Sequence, residues 1–570
     1  MTRTSDASPA EWRGILARSS LIVGLAIALS TLGLVIAAYD PLPFWDQWDN
    51  LVSNSEVTWS WLSQLHNEHR IAFGRLIFAA DYWLSHESYR LAFLGIVAFP
   101  LTSLALVVRL ARRPGGAVPD LWAIGVALGL LFSAMQNDNF TWAFQVQFFA
   151  LCTLVVATLS VLALGPATPV ALVAVVVLEA VALYTLSSGA VLLVVTIVVA
   201  VAVRRPWWHV AVLAGSGALL LGTYLHDYAT PATHANPLDA LSHLGQFGLF
   251  CLVLLGHPAG VLIGGTAGAG IFGIVGLAWL AACARRLWRA GRSVAPEEVV
   301  LLAVAAFVTG MVVLIGLGRW RFGIGQAMVP RYATPVLMFW LALLLLEGSG
   351  RSLADGPGQA RIPAIGLAIL FGLLINQPRF IASALRERNA RTSAAVAVLA
   401  GVGDSDLLKR TYPVAADVLT YRDAMKAQHT SVFGADWADW LDQPFRIPAA
   451  WPVPPCPGSF EQLTAVLEAD HPGWRAGGHL TATLPKLSTR MIFVDADQTV
   501  RGYGLSGVSD RIAFLGPDQR GTTSWLGEVE DVDPSTIRAY PLRTDGLPAC
   551  SLGPVLHVVG RPAPPLRPER

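Results

Sequence analysis

Charge is what this chain has least of. Of its 570 residues only 14% are Asp, Glu, Lys or Arg, against 54% hydrophobic. A soluble protein of this size could not clothe its surface with so little charge. Several long runs carry none at all, so the composition is that of a polytopic membrane protein. Lysine is almost missing: Lys409, Lys426 and Lys486 are the whole complement, and nearly all positive charge is arginine. With 40 basic and 39 acidic residues the net charge is +1, and no basic stripe stands out, which excludes a nucleic-acid partner. Cysteine is scarce too, at five residues that divide unevenly. Cys152, Cys251 and Cys283 lie in or beside apolar runs and are small core residues. Cys456 and Cys550 bracket the polar C-terminal region, which suggests a disulfide in an oxidising compartment, with two lone thiols as the alternative.

What the chain has in abundance is apolar runs of membrane length. The first, Leu21–Ala38, is longer than a signal-peptide core and further runs follow, so an uncleaved anchor is expected. Later candidate spans fall at roughly 90–110, 120–135, 145–164, 168–186, 189–203, 208–225, 267–284, 299–318, 333–347 and 362–376, about eleven helices in all. Arginine placement orients them. "RLARR" (Arg109 to Arg113), "RRPWW" (Arg204 to Trp208), "CARRLWRAGR" (Cys283 to Arg292) and the N-terminus with Arg3, Arg13 and Arg18 are expected on the cytoplasmic side. These anchors agree only if segment 240–264 completes no crossing, and breaks at His257-Pro258 and Gly264-Gly265 fit a re-entrant or juxtamembrane helix there. Everything after Asn376 is then outside. The expectation is a mainly α membrane domain over residues 1–376 with a first outer loop at 40–90, a helical connector over 377–450 with a surface helix at "SALRERNARTSAAVAVLAGVGD", and a small extracytoplasmic β-sandwich or barrel-like domain over 451–570. Its strands would include "GHLTATL", "RMIFVDADQTVRGYGL" and "RIAFLG".

Against this background the polar stretches behind the spans stand out. "YDPLPFWDQWDN" (Tyr39 to Asn50) carries Asp40, Asp46 and Asp49, and "HNEHR" follows with His66, Glu68, His69 and Arg70. If the first stretch is helical, Asp46 and Asp49 share a face, with Trp45 and Trp48 on a neighbouring one. Interfacial tryptophans are ordinary anchors and a loop aspartate is often merely solvated, but this density of ionisable groups at a membrane surface points to a site. His66 and His69, three apart, suit a metal with a carboxylate such as Asp46, or plain hydrogen bonding. "MQNDNFTWAFQVQFF" (Met135 to Phe149) sets Asn139, Gln145 and Gln147 at the start of a span, where amides need a cavity or a neighbouring helix. "GRWRFGIGQAMVPRYAT" (Gly318 to Thr334) puts Arg319, Arg321 and Arg331 on the outer side, against the charge rule. An anionic ligand, above all a phosphate, explains them; pairing with the loop acids is the structural alternative. "YTLSSGA" (Tyr184 to Ala190) is either a tight turn or part of a cavity roof.

An acidic motif directly after the first span, many spans and a C-terminal outer domain together resemble the GT-C class of membrane glycosyltransferases. "FWDQWD", "HNEHR", "NFTWAFQVQF" and "GRWRFGIGQAMVPRYAT" look like segments of a bacterial branch of that class, over the membrane part of the chain. The class pattern often has two adjacent acids, whereas here they are separated, so the resemblance leaves the catalytic carboxylate open among Asp46, Asp49 and Asp40. It implies a polyprenyl-phosphate sugar donor and a glycan, lipid or protein acceptor at the outer face of a bacterial plasma membrane. In that chemistry Asp46 is the first choice for the base and Asp49 the second. Arg331 and Arg319, then Arg321, take the donor phosphate, and Glu68, His66, His69 and Arg70 orient the acceptor or support the base. A divalent cation, Mg or Mn, would be held by Asp46 and His69. The C-terminal domain is similar to carbohydrate-binding β-domains. A transporter or flippase would instead show inverted repeats and charges deep in its helices, and a non-catalytic glycan-binding protein would have dispensable outer acids.

Overall fold

The structure is a computed structural model and describes residues 9–111, 120–229, 239–348, 361–445, 447, 453–468, 470–481, 487–507 and 522–560. Arg3, Arg112 and Arg113, as well as the strand-like piece "RIAFLG", lie outside the described residues. The chain folds as two compact units. One comprises residues 1–37, 57–77 and 91–381, the other residues 38–56, 78–90 and 382–570. Part of the loop between the first two long helices thus belongs to the second unit.

The first unit is a helical bundle. Among the described residues eight helices are long and apolar enough to cross a membrane, from Glu11–Ala37 through Arg361–Ala400. The spans expected at 120–135, 168–186 and 189–203 are shorter, as Leu121–Leu131, Pro169–Leu183 and Gly189–Ala202. Local chemistry cuts them off. Asp120 accepts the Trp122 amide at 2.9 Å and fixes one start. Thr168 followed by Pro169 fixes another, and Tyr184–Ser188 forms a tight turn between the last two. Segment 244–264 begins as the helix Leu244–Leu255 and passes through a π-helical turn at Gly260–Gly264. At Gly265 (φ 56°) it reverses onto Gly265–Ala290. The chain therefore breaks where the glycine and proline pattern expects it. Glycine also lets helices touch backbone to backbone. A Cβ on Gly24 would lie 2.1 Å from the Gly125 carbonyl oxygen, so the helices Pro9–Ala37 and Leu121–Leu131 cross with no side chain between them.

In the second unit the segment expected as a surface helix is the end of one 40-residue helix, Arg361–Ala400, and its residues Ala394–Ala400 are almost fully buried. They pack with Val418, Leu419, Met425, Phe433 and Trp437 against one face of the sheet. That sheet has strands β1 (Gly458–Val466), β2 (Gly473–Thr481), β3 (Leu487–Val494), β4 (Val500–Ser506), β5 (Thr522–Glu530), β6 (Arg538–Arg543) and β7 (His557–Val559). Their order is β6-β3-β4-β5-β2-β1-β7, antiparallel except for β1 with β7. It is one sheet rather than two. Four strand spacings separate β3 from β1, about 19 Å in a flat sheet. Phe460 of β1 and Phe493 of β3 nevertheless have ring centres 5.9 Å apart, with Trp525 beside both. The sheet therefore curls over this aromatic core, and its two ends do the work of a sandwich's two layers.

Cys456 and Cys550 are bonded, 94 residues apart in sequence. The bridge ties the start of β1 to the segment that follows β6. Non-reducing peptide mass spectrometry should recover the linked pair. Cys550→Ser should lower the denaturation midpoint of this unit by an amount corresponding to about 2–4 kcal/mol. Free alkylation of both thiols in the folded protein would contradict the bridge.

Candidate functional site

The acidic stretch behind the first helix folds as a 3₁₀ helix, Trp45–Asn50. Three residues per turn place Asp46 and Asp49 one above the other. Gln47, Trp48 and Asn50 are buried, so the two carboxylates stand on the accessible side of the turn. Trp48 does not share the outer face expected of it. It is 1% exposed and stacks on Tyr421 at 6.2 Å, whereas Trp45, held at φ 47°, is half exposed. The turn is anchored by Trp45 N donating to the Thr411 carbonyl at 2.7 Å, and Asn50 Nδ2 closes it onto the Asp46 carbonyl at 2.7 Å. Asp49 Oδ1 accepts the Tyr412 hydroxyl at 2.6 Å. Desolvation first, and then this carboxylate, push the Tyr412 hydroxyl up, so it stays a donor.

Asp40 is different. It is buried, one oxygen accepts the Leu42 amide at 2.9 Å and the other accepts the Thr392 hydroxyl. Its carboxylate shapes the entry to the turn and is poorly placed to take a proton from a substrate.

Below the turn lies a second acid that the sequence reading passed over. Glu87 is 1% exposed, and its Oε1 accepts the Val52 amide at 2.5 Å. It sits in "SHESYR" (Ser85 to Arg90), where His86, Glu87 and Tyr89 all take left-handed backbone angles of 54°, 55° and 62°. Asp81, fully buried, holds this bend by accepting the Tyr89 amide at 2.6 Å. Burial pushes the Glu87 carboxyl up to about 7, opposed by the Ser53 hydroxyl and the Val52 and Ser53 amides and assisted by the Asp81 charge.

In the first unit "HNEHR" is a two-residue hairpin in which His66 pairs with His69, so the two histidines face each other across a turn. Asn67 supplies the left-handed angle, φ 51°, that the turn requires at its first position. The hairpin organises a charge pair. Arg319 Nη2 donates to Glu68 Oε1 at 2.7 Å, and His69 Nε2 lies 3.5 Å from the same oxygen. His69 Nδ1 accepts the Ser187 amide at 3.3 Å, which puts the neutral ring's proton on Nε2, toward Glu68. His66 is buried against Phe144, with ring centres 5.2 Å apart.

Arg70 is committed to backbone. Its Nε donates to the Tyr224 carbonyl at 2.8 Å, and its two terminal nitrogens donate to the Ser63 and His226 carbonyls. It closes the end of helix Trp207–Leu225 and borders an open cleft of about 830 Å³ that Trp59, Tyr184, Leu219 and His226 also line.

The arginines of "GRWRFGIGQAMVPRYAT" divide. Arg319 pairs with Glu68 of the first loop, and Arg321 with Asp239 at 3.0 Å. Arg331 pairs with no carboxylate among the described residues. Its guanidinium lies 5.5 Å from the Tyr332 ring centre. Its backbone carbonyl is held by a buried amide network. Asn139 Nδ2 donates to the Arg331 carbonyl at 2.9 Å and to Thr334 Oγ1 at 2.6 Å. The Thr334 hydroxyl donates to Gln136 Oε1, and Gln136 Nε2 donates to the Leu131 carbonyl at 2.9 Å. Gln377 continues the chain by accepting the Ala134 amide at 3.2 Å and donating to Thr31 at 2.7 Å. Gln145 and Gln147 are buried as well, with Gln147 filling the space that a side chain on Gly74 would need.

No family model matches the chain, and no curated protein does. Among solved structures, ArnT from Cupriavidus metallidurans in the apo state is similar at 17% identity, covering 76% of this chain and 82% of that one, with a TM-score of 0.37. The same protein bound to undecaprenyl phosphate is 16% identical, covering 81% and 84%, with a TM-score of 0.34. Likeness at this level carries no argument about activity, which rests on the residues themselves.

Glu87 makes stability depend on pH. Its carboxyl titrates at about 7 in the fold against the ordinary 4.5, so the folded chain holds the proton more tightly. The stability this contributes is complete below pH 4.5 and is lost as pH rises to about 7, on the order of 3 kcal/mol. Glu87→Gln stays neutral throughout. Unfolding midpoints of wild type relative to Glu87→Gln should therefore fall between pH 5 and pH 8. A constant difference would contradict the assignment.

Proposed function

We propose that the chain is a GT-C-type glycosyltransferase that moves a sugar from a polyprenyl-phosphate donor to an acceptor hydroxyl. The observation that carries this reading is the acidic turn, in which two carboxylates three residues apart stand accessible on a buried, many-anchored scaffold. Such a turn does more than anchoring or solvation requires. In the reaction the acceptor O–H gives its proton to Asp46 while its oxygen bonds the anomeric carbon. The bond from that carbon to the phosphate oxygen breaks, and polyprenyl phosphate leaves with the electron pair. Asp49, held by Tyr412, is the second choice for base. Arg331, without a carboxylate partner among the described residues, suits the phosphate better than Arg319 or Arg321, which already have partners. Glu68 and His69 form a supporting pair with Arg319. A hard divalent cation such as Mg or Mn, expected on Asp46 and His69, would draw charge from the leaving phosphate.

A transporter or flippase reading draws on one feature, Glu179. It is fully buried and accepts the Thr196 hydroxyl at 2.5 Å between two apolar helices. One such group, with its hydroxyl partner, is a weaker sign than the paired carboxylates.

The test is transfer by purified protein, read as polyprenyl phosphate released from a panel of polyprenyl-phosphate sugars. Asp46→Asn should cut the rate by about 10²–10⁴ with the protein still folded. Full activity in both Asp46→Asn and Asp49→Asn would remove the mechanism. The proposed orientation is checked separately: periplasmic-type reporters fused after Gln377 should be active and cytoplasmic-type reporters silent, and the reverse pattern would overturn it.

A further inference from the structure

Asp46 and Asp49 can serve a reaction only if their turn is held still, and the chain supplies an acid for that purpose which touches neither. We propose that Glu87 is a positioning residue for the acidic turn: its buried carboxyl fastens the segment that leaves the turn and so sets where the two aspartates stand. The inference rests on the glycosyltransferase reading.

Four observations converge on it. Glu87 Oε1 takes the Val52 amide at 2.5 Å, and Val52 is three residues beyond Asp49. The next residue, Ser53, is held from another side by Gln428, whose Nε2 donates to the Ser53 carbonyl at 2.7 Å. Gln428 is itself fixed by the Tyr82 hydroxyl at 2.7 Å, so the exit from the turn is clamped at two consecutive residues. The bend that presents Glu87 is strained: three of its four residues from His86 to Tyr89 take left-handed angles, and none of the three is glycine. Strain of this kind persists only where the surroundings over-determine it, and it gathers at functional places. Here Asp81 locks the Tyr89 amide, the Ser431 amide donates to the His86 carbonyl at 2.9 Å and the Tyr39 hydroxyl to the Ser88 carbonyl at 2.8 Å. Finally, a buried acid is a costly way to satisfy backbone amides, which carbonyls would satisfy without the desolvation. The groups facing it are Asp81 from the helix before the bend, the Ser53 hydroxyl and the Tyr89 phenol; among its named neighbours none is cationic.

Three variants test this in the full-length protein. Glu87→Gln keeps a carbonyl acceptor for Val52 and should retain turnover within a few-fold of wild type. Glu87→Ala removes the acceptor, and Glu87→Asp keeps the carboxyl but loses reach. Both should lower kcat by about 10–10²-fold, as small displacements of a reacting group do, with KM for the donor little changed. Hydrogen exchange supplies a readout that needs no activity: amides of residues 45–53 should exchange faster in Glu87→Ala and Glu87→Asp but not in Glu87→Gln, with residues 122–131 unchanged in all. If Glu87→Ala fails to fold, Glu87→Asp carries the comparison. Wild-type kcat together with wild-type exchange in both truncating variants overturns the positioning role. If the wild type releases no polyprenyl phosphate from any donor, the glycosyltransferase reading falls instead, and exchange alone decides whether Glu87 fastens the turn.

Discussion

A helix that stops inside an apolar bundle frees amide and carbonyl groups that no solvent can satisfy, and this constraint governs the first unit. Between Leu131 and Val146 the chain runs through short helical turns in place of one long helix. Every freed group there costs several kcal/mol unless it finds a partner. Gln136 takes the Leu131 carbonyl and Gln377 the Ala134 amide, while Asn139 and Thr334 link Gln136 to the Arg331 carbonyl. The set does more than satisfy a break. Asn139 takes the Arg331 carbonyl, so that arginine has a fixed backbone. A cation with no carboxylate partner among the described residues, on a fixed backbone, suits a transient anion.

The second unit solves a related problem with acids. Asp40, Asp81 and Glu87 are buried and each accepts a backbone amide within a few residues of a sharp bend. Asp46 and Asp49 are more accessible. The same residue type thus serves as scaffold where it is buried and as candidate chemistry where water and ligand reach it. Further along, Asp404 takes the Leu407 amide and the Arg475 guanidinium, and Glu528 beside it is pushed well above the usual carboxylate range by burial. That cluster joins the connector to the sheet and reads as structure.

Much of this was legible in residue order. Apolar runs located the long helices, because the bilayer sets their length. The spacing of Asp46 and Asp49 placed them on one face, since a helical turn does so whether it is α or 3₁₀. Glycine and proline located the reversal at Gly264-Gly265. Other features depend on contacts made far along the chain. Of the two Asp40 partners only the Leu42 amide is near in sequence, and the other, Thr392, lies far along the chain. Arg319 and Arg321 looked available because Glu68 and Asp239 are distant in sequence. Glu87 sits in the loop that drew attention, but its role depends on Val52 and on left-handed angles that no residue type there announces. The curl of the sheet was likewise hidden, since alternation in each strand shows a buried face without showing what covers it.

We propose that Arg331 takes the phosphate of a lipid-linked sugar. The most direct measurement is a cryo-electron microscopy map of the protein in nanodiscs with a polyprenyl phosphate. The account predicts phosphate density within hydrogen-bond distance of the Arg331 guanidinium. A phosphate resolved elsewhere, with Arg331 still resting on Tyr332, would contradict it.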